Sequence, residues 1–429
     1  MSPLLLSLSS FLTLGCSSEL SCGDGTHQAG DECVADAVTT PLESDTETDT
    51  DTDTDTDADT DTPVDKRVIG YFAEWAVYDR DYHVWDIPVA NLTHLNYAFA
   101  DATVSGGCEI YDSWAALDKD GGNFQLLSDL RDANPHLKTL ISLGGWTLSG
   151  EFSDIAATAQ GRNRFAADCV DFMVTHGFDG IDVDWEYPGG GGLDGNAASP
   201  DDTENFTLLL QALRDELDSV VGPSALLTIA GPGGASKIAN IQVAEVGAVV
   251  DWINVMAYDF HGGWELTTGF NAPLYPASDS VFSTEDEANS DAAMQAWLAA
   301  GVPSDKLVMG APTYGRGWSG VGSAADGLFQ SATGSPMGTW EAGSWSYQDL
   351  VDNYIGQPGW TRSWHEESLV PWLYNADRGI FITYDDTESL GHKLDYILDE
   401  DLGGIMFWEL SEDTADHALS GLMAERLRP

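Results

Sequence analysis

Three carboxylates, Asp182, Asp184 and Glu186, stand two residues apart in the run Phe178-Asp179-Gly180-Ile181-Asp182-Val183-Asp184-Trp185-Glu186-Tyr187-Pro188. Alternate side chains on a β-strand share a face, so the three acids point one way while Ile181, Val183 and Trp185 point the other. Adjacent carboxylates in a low-dielectric setting repel, so at least one keeps its proton near neutral pH, as a general acid must. A half-exposed strand with a solvated acidic face would show the same spacing. A central strand of a parallel α/β sheet has both faces covered, which favours a reactive site.

The elements that would position this run follow from hydrophobic patterning. Short apolar strands are predicted at 68–72, 94–100, 139–142, 180–186, 226–230, 252–258, 307–310 and 404–408, with helical patterns between them such as 162–176 and 203–220. Eight βα units predict an α/β protein, a closed (β/α)8 TIM barrel whose site lies at the C-terminal strand ends. The seventh strand ends near Pro312, whereas the next helical pattern spans 387–398. That gap is too long for a βα loop, so a small α+β insertion is expected at about 315–385. It would wall a cleft.

Composition narrows the class. The 15 Trp, 14 Tyr and 15 Phe in 429 residues suggest an aromatic-lined site, and flat aromatic faces suit sugars. The formal net charge is −54, and from residue 66 onward 55 acidic side chains still face 17 basic ones, a balance of −38. Such a surface repels phosphates, so no nucleic-acid partner is expected.

Residues 1–16 form an apolar run too short to span a bilayer and read as an export signal, and Leu14-Gly15-Cys16-Ser17-Ser18 resembles a bacterial lipoprotein processing site. Simple secretion and anchoring through a lipidated Cys16 both remain open, and either places the protein outside the cell or on a bacterial cell surface. Residues 17–42 form a short cysteine-containing segment in which Cys22 and Cys33 have the chance to pair, while Cys169 falls in a helical pattern and reads as merely buried. Residues 43–65 repeat Asp-Thr and predict a disordered, self-repelling linker. Calcium loops need a turn and ligands at fixed offsets, which this repeat lacks. The folded domain is expected at 66–429.

The acidic run, together with Ser142-Leu143-Gly144-Gly145-Trp146, Met256-Ala257-Tyr258-Asp259-Phe260, Tyr314-Gly315-Arg316-Gly317-Trp318 and Gly403-Gly404-Ile405-Met406-Phe407-Trp408-Glu409, resembles glycoside hydrolase family 18. Tyr71-Phe72-Ala73-Glu74-Trp75, Asn271-Ala272-Pro273 and Ile382-Thr383-Tyr384-Asp385-Asp386 are similar to the secreted bacterial chitinases that carry the extra insertion. The resemblance implies retaining hydrolysis of β-1,4 bonds in chitin or chitooligosaccharides by a monomer, with no cofactor or metal. Side chains two apart on one strand lie roughly 6.5–7 Å apart and point the same way, so they do not flank an anomeric carbon from opposite faces. The nucleophile must come from elsewhere, and the family supplies it from the substrate's own 2-acetamido group.

The resemblance makes Glu186 the acid and Asp184 the group that orients the acetamido N–H. Asp182 would share a proton with Asp184 and help tune Glu186, and Tyr258 would bond the acetamido oxygen, with Asp259 beside it. Trp408 would lie under the cleaved sugar and Trp146 and Trp75 on either side, with Trp318 and Trp340 as further stacking candidates. Arg316, Tyr314, Met256 and Tyr71 would line the cleft. Ser142 would support Asp182, and His94 and His261 need no role beyond packing. An endo-β-N-acetylglucosaminidase acting on glycoproteins would share these acids, whereas a chitin-binding lectin would typically lack Glu186.

Overall fold

Runs such as Ile181-Asp-Val183 and Leu227-Thr-Ile229 alternate large apolar residues with small or polar ones, and in the computed structural model this alternation separates two layers. The structure describes residues 66–282 and 288–428, with the backbone of 26–29 and 32–35. Eight strands run β1 (Arg67–Ala73), β2 (His94–Thr103), β3 (Lys138–Gly144), β4 (Gly180–Asp184), β5 (Leu226–Pro232), β6 (Trp252–Met256), β7 (Leu307–Pro312) and β8 (Gly404–Trp408). Each pairs in parallel with the next, and β8 pairs with β1, closing a (β/α)8 TIM barrel. Outward residues such as Ile141, Ile181, Val183, Leu227 and Ile253 pack with helix residues including Phe165, Val170, Leu209 and Leu213. Inward residues Ile69, Tyr71, Leu140, Trp252, Val308 and Met406 fill the barrel itself.

Helix Ala159–His176 shows how the outer ring is held. Thr158 caps its start by accepting from the Gly161 N–H, and Gly177 ends it at φ +74, a left-handed conformation that a side chain would strain. Strands β4 and β6 each stop two residues short of the predicted ends. Pairing of β4 to β5 reaches only Val183 opposite Ile229, so Trp185 and Glu186 leave the sheet at the barrel rim.

After β7 the chain enters a five-stranded antiparallel sheet. Its order is Ser344–Ser346, Tyr314–Ser319, Ile380–Thr383, Val370–Asn375 and Thr361–His365. This sheet has its own core of Phe270, Trp318, Val321, Val370, Trp372 and Phe381. Trp318 corrects an expectation: it is fully buried there and its indole donates to the Glu265 carbonyl at 3.1 Å, so it offers no stacking face.

Separately, Thr26–Ala29 and Glu32–Ala35 pair as an antiparallel hairpin. The expected signal, Cys16, the Cys22–Cys33 link and the Asp-Thr repeat lie outside the described residues. Cys169 is more than a buried thiol. It bonds to Cys108, tying the strand Gly107–Ile110, which pairs with β2, to helix Ala159–His176. The partners are 61 residues apart, a spacing that gives no sequence signal. Closing a loop of that length restricts the unfolded chain, so the double variant Cys108→Ala/Cys169→Ala should lose roughly 2–4 kcal/mol. An unchanged urea midpoint, at an unchanged m-value, would show that the bond contributes nothing.

Candidate active site

The acidic run crosses from the barrel interior to its rim. Asp182 is fully buried and receives four donors: Tyr71 Oη and Ser142 Oγ at 2.7 Å, Thr228 Oγ1 at 2.6 Å and Asn254 Nδ2 at 3.2 Å. The Asn254 orientation is fixed, because the Trp252 indole can only donate and does so to Asn254 Oδ1 at 3.1 Å. Ser142 thus supports Asp182 as expected. Tyr71 does not line the cleft: β1 turns it inward with Ile69, it is 1% exposed, and its hydroxyl is committed to Asp182.

Burial raises the Asp182 carboxyl while its four hydrogen bonds pull it back down. Asp184 has no such relief. Burial first, then the neighbouring Glu186 and Asp182 charges, push it well above the usual carboxylate range, and its Oδ1 has no hydrogen-bond partner among the described residues. With donors at every acceptor position of Asp182, the proton of this pair belongs on Asp184 rather than being shared equally.

Glu186 sits at the rim, 9% exposed. Its backbone is held on both sides, the N–H donating to Ser149 Oγ at 2.9 Å and the carbonyl accepting from Asn196 Nδ2 at 3.3 Å. Burial pushes its carboxyl up to about 7, with the Tyr187 hydroxyl opposing and Asp259 reinforcing the shift. Tyr258 follows β6, and its hydroxyl donates to Met406 Sδ at 3.7 Å, while Met256, like Tyr258 and Trp408, packs partly buried against the inner barrel cluster. Asp259 accepts from Tyr314 Oη at 2.8 Å and from Arg316 Nε and Nη2 at 2.8 and 2.7 Å. Tyr314 is 3% exposed, so its part is to brace Asp259 rather than to line an open surface.

Aromatic rings flank this acid pocket. Trp408 stacks on Phe99 with centroids 5.6 Å apart and lies near Tyr71 and Trp75, at 5.5 and 6.1 Å. Trp75 and Trp146 are 38% and 48% exposed, leaving each an open face. Trp340 is exposed, with Arg80 against its ring. Thr228, Asn254, Ser149 and Phe99 were not singled out from the sequence. Each is an ordinary strand or loop residue until the fold brings it to the acids.

Residues 67–413 match the family described as "Glycosyl hydrolases family 18". The chain belongs to this family. It is 44% identical over 394 residues to "Chitinase A1" of Niallia circulans, covering 81% of this chain and 56% of that protein. It is 36% identical over 361 residues to "Endochitinase 1" of Metarhizium robertsii, covering 80% of each. Among solved structures it is similar to "Chitinase ChiA74 from Bacillus thuringiensis", with a TM-score of 0.79 at 36% identity over 85% of this chain and 70% of that one.

If Glu186 is the general acid, as the resemblance implies, it sets the acid limb of catalysis in this family 18 site. A general acid works only while protonated, and this carboxyl is raised to about 7, so it keeps its proton up to neutral pH. The rate kcat/KM should therefore hold as pH rises toward 7 and fall above it by roughly tenfold per unit. A profile that falls from pH 5 would contradict Glu186 as the acid.

Proposed function

We propose that the protein is a chitinase that hydrolyses β-1,4 bonds between N-acetylglucosamine units with retention, through the substrate's own acetamido group. One observation carries the mechanism: Asp184 Oδ1 is buried between two other acids and has no hydrogen-bond partner among the described residues. A protonated or ionised carboxyl in that position needs a polar partner, and the acetamido N–H of a sugar over Trp408 supplies one. Asp259, the other carboxyl beside the pocket, is already engaged by Arg316 and Tyr314, which disfavours it as an enzymic nucleophile.

The steps follow. Glu186 gives its proton to the glycosidic oxygen as the acetamido oxygen attacks C1 and the bond from C1 to that oxygen breaks, releasing the departing sugar as an alcohol and leaving an oxazolinium ion; Asp184 holds the acetamido N–H, and the Tyr258 hydroxyl bonds the acetamido oxygen. Glu186, now ionised, takes a proton from water as that water opens the ring at C1. Two inversions restore the configuration. The chitinase and endochitinase names of the relatives support chitin as substrate over a glycoprotein glycan, and a side-by-side assay on chitin oligomers and a glycoprotein separates the two. Export of a monomer, free or anchored through Cys16, belongs to the same proposal. It is supported by the apolar run 1–16 and by the Cys108–Cys169 bond, which suits an oxidising compartment.

Glu186→Gln keeps the shape and removes the acid, so turnover should fall by about 10²–10⁴-fold or more while oligomer binding survives. Near wild-type turnover would sink the assignment. The nucleophile is tested by substrate chemistry: fully deacetylated chitosan should resist, and partly acetylated polymer should yield new reducing ends that are N-acetylglucosamine and initially β. Abundant glucosamine at those ends, or an initial α-anomer by NMR, would contradict substrate assistance.

A further inference from the structure

Immediately beyond the acid, the segment Pro188-Gly189-Gly190-Gly191-Gly192 folds around a cation. Lys237, on the short helix Ala235–Ile238 after β5, donates to the Gly190 carbonyl at 3.0 Å, and its ammonium lies 5.2 Å from the centre of the Tyr187 ring. Tyr187 in turn hydrogen-bonds the Glu186 carboxyl. Gly191 has φ +86, which a side chain would strain, and a Cβ there would come within 1.7 Å of Lys237 Nζ and push the ammonium from its place.

The charge environment of Lys237 differs from that of the other cations near the site. Arg80 is tied to Glu409 and Glu412, and Arg316 to Asp259. Among the described residues no carboxylate lies within ion-pair distance of Lys237, although the chain carries 71 acids against 17 bases. It is also partly exposed. Position gives this charge a target. Trp408, Phe99 and Trp75 belong to the β8, β1 and β2 side of the rim, whereas Glu186, Tyr187 and Lys237 come from β4 and β5. If the attacked sugar lies over Trp408, the departing sugar lies toward the β4–β5 side.

We propose that Lys237 is a specificity-determining residue for the departing sugar, favouring N-acetylglucosamine and rejecting a glucosamine unit whose free amine is protonated. The inference rests on the proposed chitinase reading, since it needs Glu186 to face the leaving group. Rejection comes from like charges brought close in a partly desolvated pocket, and acceptance from an ammonium donor facing an acetyl oxygen. The acidic surface as a whole draws in cationic, partly deacetylated polymer, so discrimination between its units has to be local.

The test uses the full chain on partly acetylated chitosan at mildly acidic pH, reading both new ends of the products by NMR and mass spectrometry. Wild type should leave new non-reducing ends depleted in glucosamine relative to the polymer. Lys237→Met should raise their glucosamine fraction by about three- to tenfold, and Lys237→Arg should restore depletion. Lys237→Gln, which keeps a donor for Gly190 without the charge, should behave as Lys237→Met does and serves if the methionine variant does not fold. Identical non-reducing ends in wild type and the neutral variants would overturn the proposal, even if their rate on all polymers fell, because that is what mere support of the glycine loop would produce. The reducing ends report separately: glucosamine there in wild type would overturn substrate assistance whatever the non-reducing ends show.

Discussion

A carboxylate enclosed inside the barrel is the constraint on which the site depends. Moving an ion such as Asp182 out of water costs several kcal/mol even after relaxation, and hydrogen bonds to a charged group return about 1.5–3 kcal/mol each. One or two donors would not hold it. Four do, and they come from β1, β3, β5 and β6, which only a closed barrel brings to one point. The charge so held then acts on its neighbours. It raises Asp184 directly and leaves that residue, poor in donors, as the place for the proton. The buried tyrosine, serine, threonine and asparagine are therefore as much part of the acid chemistry as the acids are.

Much of this was legible in the sequence, and the parts that were not share a cause. Short apolar runs located all eight strands, and the motifs placed Asp182, Asp184, Glu186, Tyr258 and Trp408 on or just beyond β4, β6 and β8. Thr228 and Asn254 were invisible because a single polar residue in an apolar strand acquires meaning only from the register of its neighbours. Trp318 shares a face with Arg316 on its strand, yet the segment around Glu265 and Phe270 folds over that end of the sheet and buries it. Tyr71 was open to a better reading, since alternation from Ile69 turns it into the barrel. The Cys108–Cys169 pair depended on a hairpin beside β2 that no local pattern announced.

The inserted sheet is tied to this chemistry by a polar joint. Arg316, on its strand Tyr314–Ser319, grips Asp259 of the barrel rim with two hydrogen bonds, and Tyr314 adds a third. A bidentate guanidinium fixes angle as well as distance, which a lysine in the same place would not do. Asp259 is one of the charges that raise Glu186, so the joint that locates the wall also contributes to the field at the acid.

Under the proposed mechanism, proton handling and sugar stacking ask for opposite surroundings, and the site meets both by arranging them along depth. Burial raises a carboxyl, and Asp182 and Asp184 lie inside the barrel mouth, where water is excluded. A stacking ring needs an uncovered face, so Trp75 and Trp146 stand exposed on the rim. In the proposed mechanism Glu186 has to satisfy both, dry enough to keep its proton and open enough to reach a glycosidic oxygen. It can do so because the chain leaves the sheet two residues before it, and Ser149 and Asn196 then fix the backbone where the strand ladder no longer does. A strand continued to Glu186 would have aligned the three acids on one wall; ending it at Asp184 frees the third to lie at the boundary between protein and substrate.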